Sequence, residues 1–405
     1  MSTIAFVTIP MHGHVNPALP VVAELVRRGH TVTCHTSPAF APAVEATGAR
    51  VLRYAGGDRP PPDPPTPLTM LDGLARTTAD LLPTVLSDLR EIGPDLIVHG
   101  AACPWGAVAA RELGVPAAAL FTTFAFNRRV PSPTHASWAL LASAAARSRA
   151  ARSYLRSRWG LRHRYDTRGL PLLDLANVGE PLNLVFTSRA FQPGAASFDG
   201  SYRFVGPSLG ARPAEPSFDR LRAPVLYASL GTVFDGGARL LRTFAAALAP
   251  LGGAVVVSTG ATDPAALGGL PDNVLARRSV PQLEVLADAA LFVTHGGMNS
   301  VNEALYAGVP MLVVPQGADQ PTVARRVVEL GAGLSIRTGD ATVEAVRDLA
   351  RRLLGEPRFR AAAATLRLAQ REAGGHLRAA DELEHHLRRL GRLGRRAAAD
   401  APGER

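Results

Sequence analysis

The chain has 405 residues, 47% of them hydrophobic, with 44 Lys+Arg against 34 Asp+Glu for a formal net charge of +10; this is enough apolar material for two good-sized cores. All 44 basic residues are Arg, which excludes mechanisms that need a lysine amine, such as a pyridoxal Schiff base or a P-loop. Two cysteines, Cys34 and Cys103, exclude a disulfide framework and a Cys-rich zinc site, and fit a reducing compartment.

Residues 4–9 read as a buried strand. Asn16 then reads as the N-cap of a helix with Pro17 in its first turn, running through Leu19, Val22, Leu25 and Val26 to Gly29. Residues 31–36 and 51–54 are further strands, followed by a loop with six prolines between Pro60 and Pro67. A strand over 95–99, a helix over 106–113 and a strand over 117–121 continue the alternation that marks a parallel sheet covered by helices. Residues 132–159 are rich in Ala, Ser and Arg and read as helical; 182–187 and 202–205 are strand candidates. Residues 206–216 carry three Pro and two Gly and no periodicity, the best domain boundary in the chain. The alternation then restarts: strands at 225–229, 254–259, 290–294 and 311–314, helices at 236–248, 299–307 and 319–330. Two consecutive doubly wound α/β domains follow, and such folds bind ligands beyond the carboxyl ends of their strands.

No run approaches ~20 apolar residues, so no membrane span is expected. The N-terminus lacks a basic stretch and a long apolar run, so a cytoplasmic location is expected. Arg388, Arg389, Arg392, Arg395 and Arg396 hold half of the net charge, and elsewhere arginines read as mixed with acids; with few aromatics to stack on bases, nucleic acid is not an expected partner.

Two loops carry candidate chemistry. In Pro10-Met11-His12-Gly13-His14-Val15-Asn16-Pro17 a histidine sits near the positive end of a helix dipole, which favours a neutral base; His12 and His14 could equally be loop polars, or chelate a metal for which no third ligand is near. In Thr294-His295-Gly296-Gly297-Met298-Asn299-Ser300, with Asn299 as N-cap, glycines and a helix N-terminus suit a nucleotide diphosphate held without Lys or metal, and Glu303 suits a ribose diol. A Gly-rich turn on an ordinary helix is the alternative. The chain lacks G-x-G-x-x-G and an Asp-x-Asp pair.

Pro281-Gln282, His295 through Ser300, Glu303, Gly308-Val309-Pro310, Pro315 and Asp319-Gln320 resemble, in order and spacing, the donor signature of family-1 glycosyltransferases. His12 through Pro17 resembles that family's acceptor-side loop, and Ser229-Leu230-Gly231-Thr232 its first C-domain loop. The resemblance covers nearly the whole chain and is nearest to bacterial enzymes of natural-product glycosylation. It implies a GT-B fold, two Rossmann-like domains facing a central cleft: an acceptor domain over 1–206, a linker over 207–222, a nucleotide-sugar domain over 223–375, and a helix crossing back with a basic tail over 376–405. It implies an inverting, metal-independent transfer from a UDP- or TDP-sugar to a hydrophobic small molecule, with no cofactor and His14 as general base. His295, Gly296, Gly297, Asn299 and Ser300 would hold the diphosphate, with Ser229 and Thr232 beside them, Glu303 the ribose, Asp319 and Gln320 the sugar, and Gln282 the nucleobase. Met11, Gly13, Gly100, Cys103 and Thr123 would lie on the acceptor side, whose segments 60–82 and 121–151 are apolar.

Two positions depart from the family pattern. Val280 replaces an aromatic that stacks on the base. Gly100 replaces an Asp that would pair with the catalytic His, and His99 should point the other way along its strand. An acidic acceptor such as a phenol would need little help from a base; Cys103 or Thr123 could orient His14 instead; or the protein could be an accessory partner with weak activity. A nucleotide-sugar 2-epimerase is the rival enzyme class, and a homodimer stays open.

Overall fold

The computed structural model describes residues 1–54, 66–132, 148–210, 224–231 and 237–392. The expected proline-rich loop (60–65), most of the first half of the 132–159 segment, the linker from 211, Thr232 and the tail from 393 lie outside them. The chain forms two compact units: Met1–Phe186 with Gly194–Gly210 and Gly374–Arg405, and Thr187–Pro193 with Ala211–Ala373.

The first unit runs β1 (Thr3–Val7), α1 (His12–Arg27), β2 (Thr31–Thr36), α2 (Ala41–Glu45), β3 (Arg50–Arg53), α3 (Pro67–Ile92), β4 (Leu96–Gly100), α4 (Pro104–Leu113), β5 (Ala117–Phe121), α5 (Arg149–Arg164), β6 (Asn183–Val185) and β7 (Tyr202–Phe204). Its strands are parallel, in the order β3-β2-β1-β4-β5-β6-β7, with Val7 opposite both His35 and His99. The order reverses between β1 and β4, the switch point at which a doubly wound sheet opens a crevice at its carboxyl edge. Alternation along the strands splits the core. Ala5, Val7 and Ile97 face the apolar sides of α3 and α4, whereas Ile4, Phe6, Leu96 and Val98 face Ala18, Val21, Val22 and Leu25 of α1.

The second unit runs β8 (Val225–Ser229), α6 (Gly237–Leu248), β9 (Ala254–Ser258), β10 (Val274–Arg277), α7 (Gln282–Asp288), β11 (Ala289–Thr294), α8 (Met298–Ala307), β12 (Met311–Val313), α9 (Gln320–Glu329), β13 (Gly333–Ser335), α10 (Val343–Gly355) and α11 (Pro357–Glu372). Its parallel order is β10-β9-β8-β11-β12-β13, reversing between β8 and β11. The chain then returns to the first unit as α12 (Gly375–Arg389), where Ala379, Ala380, Leu383 and Leu387 pack with α1, and Arg28 bonds Asp381 at 2.7 Å and Glu384 at 3.1 Å.

Three features differ from expectation. Helix α1 begins at His12, four residues before Asn16, because the Met11 carbonyl already accepts from the His14 and Val15 amides at 2.9 Å. Helix α8 begins at Met298 with Gly297, not Asn299, as N-cap. Thr187–Pro193 groups with the second unit, tied by Thr187 Oγ1 donating to Asn302 Oδ1 (2.9 Å), the Ser188 amide donating to Gln370 Oε1 (2.9 Å), and Arg326 Nε donating to the Phe191 carbonyl (2.9 Å). Among the described residues, no helix is long and apolar enough to cross a membrane.

Candidate active site

In the first unit the expected residues gather at the carboxyl ends of the adjacent strands β1, β4 and β5. Met11 is the N-cap of α1 and has extended backbone; Gly13 and His14 form the first turn. A Cβ on Gly13 would meet open space. His12 is exposed and packs edge-on against Phe40, centroids 4.8 Å apart. His14 turns inward, and burial pushes its imidazole pKa down to about 4, so the ring is neutral at ordinary pH. Thr122 Oγ1 lies 3.2 Å from His14 Nδ1. Thr122 is the neighbour of the expected Thr123, one position nearer the end of β5. A proton on Nδ1 directed at that hydroxyl leaves the Nε2 lone pair free.

Gly100 ends β4, and a Cβ there would sit 3.1 Å from Cys103 Sγ, tighter than ordinary contact. Cys103 therefore occupies the space that a larger residue at 100 would need. Its thiol is fully buried, burial raises its pKa, and it offers no base at neutral pH. His99 faces the other side of the sheet, as alternation requires. Its Nε2 is 3.1 Å from Glu180 Oε1, and a Cβ on Gly106 of α4 would be 2.5 Å from His99 Cβ.

In the second unit the residues gather after β8, β10, β11 and β12. Ser229 Oγ accepts from the Gly231 amide at 3.3 Å and steadies a turn in which Gly231 has φ +75°. That turn carries the His295 ring: a Cβ on Gly231 would lie 2.6 Å from His295 Cε1, and one on Gly297 would lie 2.4 Å from Nε2. Burial lowers the His295 pKa to about 4, with the Ser229 backbone pulling the other way. Gly296, at φ +85°, has Val313 Cγ1 2.6 Å from where its Cβ would be, so only glycine brings β11 into α8 this way. Asn299 and Ser300 lie in the first turn of α8, whose N-terminal dipole favours an anion.

Gln282 is the hub beside it. Tyr227 Oη donates to Gln282 Oε1 at 2.9 Å, and Gln282 Nε2 donates to Glu303 Oε2 at 2.6 Å and Ser300 Oγ at 3.4 Å. Tyr227, which sequence reasoning passed over, stacks on Phe292 at 4.6 Å, so its hydroxyl is held in place. Glu303 is buried, and Val280 is buried two residues before Gln282. Asp319 is the N-cap of α9. Gln320 Oε1 accepts from the Gln316 amide at 2.8 Å and the Gly317 amide at 3.3 Å, so its carbonyl holds the preceding loop. In that loop Ala318 has φ +54°, a strained conformation for a residue with a Cβ. Among the described residues, no group of three or more His, Cys, Asp or Glu is placed to hold a metal ion.

Comparison with known proteins converges on one family. Residues 242–373 match the model of the erythromycin biosynthesis protein CIII-like C-terminal domain. The chain is 33% identical over 397 residues to the NDP-glycosyltransferase YjiC of Bacillus subtilis, covering 95% of this chain and 97% of that protein. It is 33% identical to the oleandomycin glycosyltransferase of Streptomyces antibioticus, covering 95% and 90%. The crystal structure of the glycotransferase of kitacinnamycin superposes with a TM-score of 0.85 at 31% identity, covering 95% of this chain and 98% of that one. With two parallel doubly wound sheets and this similarity over almost its full length, the chain belongs to the bacterial NDP-sugar glycosyltransferases of the GT-B fold.

Proposed function

We propose that this glycosyltransferase moves a sugar from a UDP- or TDP-sugar to a hydrophobic small molecule, with inversion and without a metal, and that His14 is the general base. The observation that carries the reading is the His14 ring: neutral through burial, with Thr122 at Nδ1 and Nε2 left to take a proton. The acceptor O–H gives its proton to Nε2 as the oxygen forms a bond to the anomeric carbon. The bond from that carbon to the diphosphate oxygen breaks, and the electron pair leaves with the diphosphate. That charge develops where the first-turn N–H groups of α8, with Asn299 and Ser300, are already oriented. Glu303 and Gln282 supply adjoining acceptor and donor groups for the nucleoside, Asp319 the sugar contact, and Met11, Gly13, Gly100, Cys103 and Thr123 the acceptor side.

A threonine hydroxyl orients an imidazole but, unlike a carboxylate, does not neutralise an imidazolium. With Gly100 in place of that carboxylate, an acceptor whose hydroxyl is already acidic is favoured, a phenol over an aliphatic alcohol. The relatives named for oleandomycin and kitacinnamycin support a natural product as acceptor. A cytoplasmic location suits two free, buried cysteines, and a homodimer is the assembly to test by light scattering.

The test is turnover with EDTA present, a panel of UDP- and TDP-sugars, and phenolic and aliphatic acceptors, read by mass spectrometry and by the anomeric coupling of the product. Phenol glycosides of inverted configuration are expected. Donor binding without transfer to any acceptor would turn the reading to an accessory role, and an epimerised donor to a 2-epimerase.

A further inference from the structure

Helix α5 holds six Arg and one His and no acidic residue. It lies in a longer block: residues 113–165 contain nine Arg and no Asp, Glu or Lys, nine charges beside a net +10 for the whole chain. The mixing of acids and arginines expected along the sequence fails here. The helix is also two-sided. Ala151, Tyr154 and Leu161 are buried and join the core under the first sheet. On the outer side Trp159 is 65% exposed, and Leu155, one turn earlier, is 40% exposed. At 100° per residue, Arg152 and Arg156 flank that pair on one side and Arg162 on the other. The groove toward α3 adds Arg76, with Asp72, 3.8 Å from it, the one acid among the described residues lining that groove.

We propose that α5 seats the acceptor unit on an anionic lipid bilayer. Trp159 and Leu155 enter the boundary between headgroups and acyl chains, and the flanking arginines meet lipid phosphates, the arrangement of a helix lying in a membrane interface. Nucleic acid fits less well, because Trp159 is a single ring held edge-on by His163, centroids 4.1 Å apart, with no row of faces for successive bases. An apolar acceptor dissolves in the same boundary, so the seat would bring this unit to where such a substrate concentrates; the surface itself stands whether or not the acceptor is apolar.

The experiment is co-sedimentation of the full-length protein with vesicles of phosphatidylcholine, with and without phosphatidylglycerol, at low and high salt. Binding is expected only with the anionic lipid and is expected to weaken as salt rises. The triple variant Arg152→Gln/Arg156→Gln/Arg162→Gln is expected to bind on the order of 100-fold more weakly. Trp159→Ala is expected to lose binding by roughly tenfold while keeping its charge. Both variants should keep wild-type turnover of a soluble acceptor without vesicles, which establishes that they fold. Equal binding to neutral vesicles, undiminished binding by the triple variant, or tighter retention on single-stranded nucleic acid than on anionic vesicles would overturn the proposal.

Discussion

Gly297→Ala should separate the placing of His295 from everything else in the donor loop. A Cβ at 297 would stand 2.4 Å from His295 Nε2 and 3.0 Å from Cε1, whereas ordinary contact starts at 3.4 Å, so the ring must retreat about 1 Å. It is already bounded by Gly231, whose own Cβ position lies 2.7 Å from the same nitrogen. The Gly297 backbone, at φ −62° and ψ 137°, accepts an alanine, so the main cost is the push on the ring. Overpacking of this kind costs about 1–3 kcal/mol of stability, and loss of the N-cap glycine about 1 kcal/mol. A catalytic group displaced by ~1 Å forfeits on the order of 100-fold in rate. The assay is donor kcat/KM with urea unfolding in parallel, for wild type, Gly297→Ala, His295→Ala and the double variant. Gly297→Ala should lose about 100-fold in wild type and little in the His295→Ala background, because the ring it displaces is gone. Equal losses in both backgrounds, or wild-type kinetics in Gly297→Ala, would refute the reasoning.

Three further outcomes follow from the geometry. Thr122→Val should lower kcat by roughly 5–10-fold with donor KM unchanged, and Thr122→Ser should restore it; a loss in KM alone would deny the positioning role. His14 and His295 are held near 4 against an ordinary 6.5, and His35 is lowered by burial too, so between those pH values the unfolded chain binds more protons than the folded one. Unfolding free energy should therefore rise with pH from about 4 to 6.5, by up to ~1.4 kcal/mol per unit for each group, and then level off. Urea midpoints measured across that range check it, and a flat profile contradicts it. Gln282→Leu strips Tyr227, Ser300 and Glu303 of a shared partner and takes the 2.6 Å donor from the buried Glu303 carboxylate; a loss of about 1–3 kcal/mol and a raised donor KM are expected, read by thermal shift and kinetics.

Much of this was legible in the sequence where local chemistry decides the outcome. The strands Thr31–Thr36, Ala117–Phe121 and Val225–Ser229 stand where β-branched and apolar runs bounded by turn residues put them. The start of α1 did not follow Asn16, because capping preference ranks residues only once the backbone is free to choose; here the Met11 carbonyl starts the helix earlier. Helix α3 escaped notice behind the proline run, although Thr66 forms a capping box with Thr69 ahead of it and Pro67 suits its first turn. Thr122 carried no signal that set it apart from Thr123, since both follow β5 and its contact with His14 joins residues 108 apart. The assignment of Thr187–Pro193 rests on partners more than 100 residues away, Asn302 and Gln370, which no local pattern announces. The basic block at 113–165 is plain in the sequence, more dilute but longer than the cluster at the C-terminus.

The most direct measurement is single-turnover transfer by His14→Gln beside the wild type, with donor affinity measured on the same preparations. If His14 is the base, transfer falls by roughly 10²–10⁴-fold while the NDP-sugar binds as before, because the proposed donor groups belong to the other unit. Transfer at the wild-type rate would contradict the assignment of the base.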